Sequence, residues 1–173
     1  MNAEARREAI LSRLKGSAAP ISATALARDF GVSRQVVVGD IALLRAFGNE
    51  ISATPRGYVL ERDTGMITRT LACIHSAEDM KLELDIMVDN GCVVKDVIVE
   101  HPIYGQLIGS LELKSRYDVS QFVSRSALSE ALPLSSLTDG IHLHTLLCPD
   151  EEAYKRVVEE LGVAGFLLPE EEA

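Results

Sequence analysis

Four histidines occur in the 173 residues, and two of them stand two apart in the run Gly140-Ile-His-Leu-His-Thr-Leu-Leu-Cys148. Alternate residues of a β-strand point to the same face, so His142 and His144 project side by side. Such a pair is either a polar patch on an exposed sheet or half of a metal site, because buried imidazoles need partners. A third histidine, His75, ends the apolar run 67–74 and opens a helical stretch in which Glu83 follows eight residues later. The apolar stripe of that helix is Ala77, Met80, Leu84, Met87 and Val88, with Glu83 at its edge. A carboxylate there turns inward only if it meets a cation or a donor. One transition-metal ion ligated by His75, Glu83, His142 and His144 satisfies all four groups, and Zn²⁺, Ni²⁺, Fe²⁺ and Mn²⁺ all suit such a set. Cys73 and Cys148 share strand parity with His75 and His144; they are spare soft ligands or, the favoured reading, small core residues.

The fourth histidine, His101, precedes Pro102 in the turn His101-Pro-Ile-Tyr-Gly105. Lys114 and Arg116 follow a strand in Leu113-Lys-Ser-Arg-Tyr-Asp118. Basic residues isolated in an acidic region either hold a small carboxylate, for which Arg offers a bidentate fork, or are ordinary surface charges.

These residues need a scaffold, and the pattern around them supplies one. Residues 67–74 read as a strand; Ser76-Ala-Glu-Asp79 reads as a capping-box-like start to a helix ending at Asn90-Gly91. Residues 92–100, rich in β-branched side chains, and 106–113 read as strands joined by a short turn, hence an antiparallel hairpin. Asp118 caps a helix to about Glu130, residues 140–148 form the histidine strand, and Pro149-Asp150 opens a last helix to Leu161-Gly162. A short tail, 164–168, and a solvated acidic end, Glu170-Glu-Glu172, follow. The order βαββαβα implies a two-layer sandwich with helices on one face of a mainly antiparallel sheet.

The first sixty residues differ in kind. They carry eight Lys and Arg against five acids, net +3, whereas residues 61–173 carry nine against twenty-one, net −12. A basic head on an acidic body implies separate partners. Helices over 4–15, 23–29 and 34–47, with Ser22 and Ser33 as caps and Gly31 at a tight turn, precede two extended pieces around Thr54-Pro-Arg-Gly57. Val37, Ile41 and Leu44 recur at helical spacing. This is a winged helix-turn-helix, a module that binds DNA or another protein; the basic excess favours DNA. Ser33, Arg34 and Gln35 at the start of the third helix reach bases or phosphates of double-stranded DNA, and Arg56 at the wing tip touches backbone or minor groove. Glu61-Arg-Asp-Thr-Gly65 separates a domain over 1–61 from one over 66–170, an α+β chain overall.

No apolar run approaches the roughly 18–20 residues of a membrane span, and the N-terminus has no signal-like core. Three cysteines without CxxC spacing fit reduced thiols in a cytoplasmic protein.

Taken together, the stretches 25–46 and 54–58, the motifs His101–Gly105, Lys114–Val119 and Gly140–His144, and the His75/Glu83/His142/His144 set resemble the niacin-responsive repressors, over nearly the whole chain. That family joins a biotin-repressor-like winged helix to a three-histidine domain. The resemblance implies a homodimeric repressor of genes for NAD biosynthesis or niacin uptake. Its divalent metal, Ni or Zn, would be held by those four residues, with nicotinic acid as co-repressor. It implies a place for His101 in the effector pocket, where Tyr104, Lys114 and Arg116 are the neighbouring candidates, and for Arg45, within the matching helix, at the DNA. A metal sensor without organic effector and a metal-dependent enzyme with His101 as acid/base are the competing readings.

Overall fold

The protein is described as a computed structural model covering residues 2–61, 65–129 and 131–170. The expected linker residues 62–64, the helix end at Glu130 and the acidic Glu171-Glu172 lie outside the described residues. The chain divides into two compact units, Met1–Asp63 and Thr64–Ala173.

The first unit holds helices α1 (Ala3–Lys15), α2 (Ala23–Phe30) and α3 (Arg34–Ala46), then the antiparallel hairpin β1 (Ile51–Thr54) and β2 (Gly57–Leu60). Each helix starts where a side-chain oxygen takes an otherwise unpaired N–H: Asn2 from Ala5, Ser22 from Ala25, Ser33 from Val36. Gly31 closes α2 with φ of 65°, a left-handed cap that costs glycine little. Ile10, Leu14, Leu26, Val37, Ile41, Leu44 and Ile51 form one apolar core. The inner face of α3 also buries Asp40, whose carboxylate takes Arg6 Nε at 2.6 Å with Arg7 at 3.7 Å. Two of the head's arginines thus serve the fold.

The second unit contains β3 (Ile67–Ile74), α4 (Met80–Asp89), β4 (Val93–His101), β5 (Gly105–Leu113), α5 (Arg116–Leu128), β6 (Ile141–Cys148) and α6 (Glu151–Ala164). Its sheet is antiparallel throughout, in the order β3-β6-β4-β5, so the last strand of the chain lies between the first two. The helices pack on one face, burying Leu84, Met87, Val119, Val157 and Leu161 against Leu71, Val94, Leu113 and Leu146. The tail is more than a tail: Phe166 and Leu167 pair with the free edge of β3, Ile74 N–H donating to the Phe166 carbonyl at 2.8 Å.

Two helix starts differ from expectation. Ser76 makes no cap; its hydroxyl donates to Asp79 Oδ2, and a 3₁₀ turn, Ala77–Asp79, precedes α4. The helix assigned to an Asp118 cap begins at Arg116 with Ser115 as cap, while Asp118 is buried in its first turn and takes the Lys114 N–H at 2.9 Å. Either residue type caps well, and local sequence does not decide which one adopts the extended backbone.

Gly57 combines φ of +137° with the closest approach in the first unit: a Cβ there would lie 2.4 Å from the backbone carbonyl of Ile21. Ile21 and Tyr58 exchange backbone hydrogen bonds at 2.9 and 2.8 Å across that contact. Gly57→Ala is therefore expected to destabilise the first unit by about 2 kcal/mol or more. Amide hydrogen exchange checks this: protection falls in α2, β1 and β2 while α4 and β6 keep theirs.

Candidate metal centre and nucleic-acid interface

On β6 the inward parity carries His142, His144, Leu146 and Cys148, all buried. Register places Cys73 of β3 opposite His142 and Leu71 opposite His144. His75, one step beyond the end of β3, is held beside this row by Gly140, whose carbonyl accepts the His75 N–H. Gly140 has φ of +92°, and a Cβ there would stand 2.5 Å from the His75 carbonyl oxygen. From the helix layer Glu83 descends into the same space, only 1% exposed, although its helical position had put it at the stripe's edge.

The three imidazoles face Glu83 through one nitrogen each. His75 Nε2 lies 2.8 Å from Oε2, His142 Nε2 3.0 Å from Oε1, and His144 Nε2 3.4 Å from Oε2. Their other nitrogens are already engaged. Nδ1 of His75, His142 and His144 donates to the carbonyls of Ser76 (2.7 Å), Gly140 (2.8 Å) and Asp96 (2.6 Å). A carbonyl only accepts, so each Nδ1 carries the proton and a neutral ring turns an Nε2 lone pair toward the carboxylate. Acceptors facing acceptors at such distances need a positive charge between them. Protons supply it in part: Glu83 is held well below the ordinary carboxylate range by His144, His142 and His75 against the opposing effect of burial. His75 and His144 are raised above the usual 6.5 by Glu83, which outweighs their desolvation. Yet His75 Nε2, despite its closeness to Glu83, has no hydrogen-bond geometry to any partner.

The same donors have the chemistry of a metal site. Bonds of about 2.1 Å to one ion separate neighbouring donors by roughly 3.0–3.4 Å; the His142 and His144 distances to Glu83, 3.0 and 3.4 Å, fall in that range and the His75 distance, 2.8 Å, lies just below it. Backbone carbonyls on the distal nitrogens are the usual outer support of metal-bound imidazoles. Among the described residues, Cys73, Glu83 and His142 are the group whose ligand atoms all lie within 4.8 Å of one another and could hold an ion, while His75 and His144 approach Glu83 without joining that mutual group. Cys73 is a fully buried core residue, as favoured, that also stands within reach of this group; burial and Glu83 raise its thiol pKa, so it would serve as a soft ligand only once an ion displaced its proton. Cys148 instead touches Cys92, sulfur to sulfur at 3.2 Å, in the core.

An open cleft of about 290 Å³ adjoins the site, lined by His75, Ser76, Ala77, Ser135, Ser136, Asp139 and Gly140. Its far wall is a 3₁₀ turn, Leu134–Thr138, which the sequence had not marked. None of the four expected effector residues lines it. His101 accepts the Ile103 and Tyr104 N–H groups at its Nδ1, closing its own hairpin, and Tyr104 is exposed. Arg116 binds Asp89 at the C-terminal end of α4 through both carboxylate oxygens, and Lys114 is exposed just before α5.

In the first unit Ser33, Arg34 and Gln35 are exposed at the start of α3, with Ser33 also spending its hydroxyl on the cap. Arg45 is drawn toward the wing: its Nε donates to the Ile51 carbonyl at 2.7 Å and its guanidinium lies 5.8 Å from the Tyr58 ring centre. Arg56 sits half-buried at the hairpin turn.

Comparison with known proteins matches both units. A helix-turn-helix domain model covers residues 6–59 and a 3H domain model residues 68–170. The chain is 44% identical over 165 residues to the probable transcription repressor NiaR of Thermotoga maritima, spanning 95% of this chain and 94% of that one. It is 41% identical over 167 residues to the transcription repressor NadR of Bacillus subtilis, spanning 94% and 93%. Both relatives are repressors and not enzymes, which removes the metalloenzyme reading.

The charges around Glu83 set a pH dependence for metal-free protein. Raised histidine pKa values contribute stability that is complete below about 6.5 and lost as pH rises through the folded values. The depressed Glu83 contributes stability present above about 4.5 and lost as pH falls through its folded value. Thermal unfolding of chelator-stripped protein should therefore weaken on the alkaline side, and excess Zn²⁺ or Ni²⁺ should remove that loss. A metal-insensitive profile would contradict the convergence described here.

Proposed function

The chain belongs to the family of transcription repressors that includes NiaR and NadR, and on that premise we propose that it represses genes of NAD biosynthesis or niacin uptake, with nicotinic acid as co-repressor. The observation that carries this is the convergence of three Nε2 lone pairs on buried Glu83 beside an open cleft. His75, Glu83, His142 and His144, with Cys73 as a further donor, would hold a divalent ion, Ni²⁺ or Zn²⁺. Such an ion supplies a Lewis-acid position for a pyridine nitrogen or a carboxylate.

This chain's own residues do the rest. Carbonyls of Ser76, Gly140 and Asp96 keep the three rings in one tautomer and orientation. Ser135 and Ser136, lining the cleft, offer hydroxyls to the end of the effector remote from the histidines. A small planar acid enters between the turns 77–79 and 134–138 and binds the DNA-competent state better than the other, as a co-repressor must. The cleft favours an organic effector over a pure metal sensor, which would have no use for one. His101, Tyr104, Lys114 and Arg116 are kept as a second ring to be tested, since they lie outside the cleft lining.

At the DNA, a homodimer would present two α3 helices to half-sites about one helical turn apart, Arg34 and Gln35 leading and Arg56 following the backbone. The place of work is the cytoplasm, where the DNA is; no helix among the described residues is long and apolar enough to cross a membrane.

Binding to the protein's own promoter region at fixed salt tests the whole reading. Nicotinic acid should tighten binding about tenfold or more for metal-loaded protein and not for a His142→Ala/His144→Ala variant. Metal altering affinity with no response to nicotinate would make the protein a metal sensor. Alanine at His101, Tyr104, Lys114 or Arg116 should leave the nicotinate response intact; a loss there would relocate the effector. Arg34→Ala should lower the salt slope of DNA binding by about one, whereas Arg45→Ala, which loosens the wing, should weaken binding with little change of slope.

A further inference from the structure

Two cysteines outside the candidate metal centre stand together at one end of the sheet. Register pairs Val93 with Leu147, so Cys92 and Cys148 are the next opposite residues, where the chain enters β4 and leaves β6. Cys92 Sγ–H donates to Cys148 Sγ at 3.2 Å, and both residues are buried free thiols. Neighbours across antiparallel strands hold their Cα atoms about 4.5–5.5 Å apart, inside the roughly 4.4–6.8 Å span of a disulfide. From 3.2 Å the sulfurs need to close by only about 1.2 Å, a step that side-chain rotation supplies. The pair lies just beneath the surface. Its chain neighbours Gly91 and Pro149 are both exposed; Gly91 takes φ of +79°, and a Cβ there would stand 3.4 Å from the Pro149 ring. Cover this thin opens by local fraying at the ends of α4 and β6, and it admits a solute as small as a peroxide.

We propose that Cys92 and Cys148 are a reversible redox site, two thiols in the reduced chain and a disulfide under hydrogen peroxide. Cys148, which accepts the hydrogen bond from Cys92, attacks the peroxide as its thiolate. The O–O bond breaks, leaving a sulfenic acid on Cys148 and releasing one water. The Cys92 sulfur then attacks that sulfur, the S–O bond breaks, and the second oxygen leaves as water. Two thiols lose two protons and two electrons, and the peroxide is reduced to two waters. Burial raises both thiol pKa values, that of Cys92 to about 12, so the reaction is slow and answers to sustained oxidant. Cys73 takes no part, since it pairs with His142, six positions along β6 and roughly 20 Å away. The bond ties the segment that follows α4, the helix of Glu83, to the end of β6, the strand of His142 and His144. Closing the loop over residues 93–147 also restricts the unfolded chain. Oxidation therefore stiffens the frame around Glu83 without consuming any of the groups that face it.

The test holds the full-length native protein in hydrogen peroxide for hours, then quenches, unfolds, alkylates and maps it by mass spectrometry without reduction. A linked peptide pair carrying Cys92 and Cys148 is expected, with Cys73 recovered as an alkylated thiol and all three thiols restored by dithiothreitol. The oxidised chain should gain about 10 °C in the thermal midpoint of the second unit, a gain lost on reduction and absent in Cys148→Ala. Three free thiols after exposure, sulfinic or sulfonic acid at either cysteine in place of the link, or a bridge to Cys73 would overturn the site. A link formed with no gain in midpoint would overturn the stiffening. The map of the wild-type chain decides the site by itself should Cys148→Ala not fold.

Discussion

The second unit depends on one carboxylate. Glu83 is taken almost wholly out of water, a cost of several kcal/mol for an unpartnered charge, and every group around it is arranged to offset that cost. The histidines cannot leave, since each is tied by Nδ1 to a backbone carbonyl from a different segment: Ser76 before α4, Gly140 before β6, Asp96 in β4. Local irregularities of the domain serve these ties. Gly140 takes a left-handed backbone so that His75 can pass at van der Waals distance. The β4 register slips between Val94 and Asp96, opposite a left-handed Glu112 in β5, where the Asp96 carbonyl meets His144 and its side chain meets Thr145. The tail returns to the edge of β3, and Phe166 lies 5.2 Å from the His75 ring.

Much of this was legible in the residues. Strand alternation alone put His142 and His144 on one face, and helical spacing brought Glu83 within a residue's width of the buried stripe. Caps at Ser22 and Ser33 and the turn at Gly31 followed from chemistry that acts within four residues. What was not legible is non-local. Nothing in the sequence says that β6 inserts between β3 and β4, and only that order sets Cys73 against His142 and turns a core thiol into a potential ligand. Arg116 has the right type for holding a carboxylate, but the nearest one is the protein's own Asp89, across the α4–α5 contact. The cleft needs Ser135 and Ser136 from a 3₁₀ turn with no periodic pattern to announce it. In the head, nothing local marks Asp40 for burial; its pairing with Arg6 and Arg7 depends on how α1 crosses α3.

The central position of β6 also couples the two faces of the sheet. His142 and His144 point to the helix layer, while Leu143 between them and Thr145 beyond point to the opposite face. A strand's two faces are not independent, because a shift or rotation of its backbone moves both sets of side chains together. Any change in how the imidazoles are held is therefore expressed at once on the other side of the sheet, at the row Ala72–Leu143–Ile98–Ile108. An edge strand would lack this property, being braced on one side only; β6 is hydrogen-bonded to β3 and β4, so its displacement carries both neighbours. The candidate metal site and the opposite face share one strand, so a change at the imidazoles has a short physical route through the sheet.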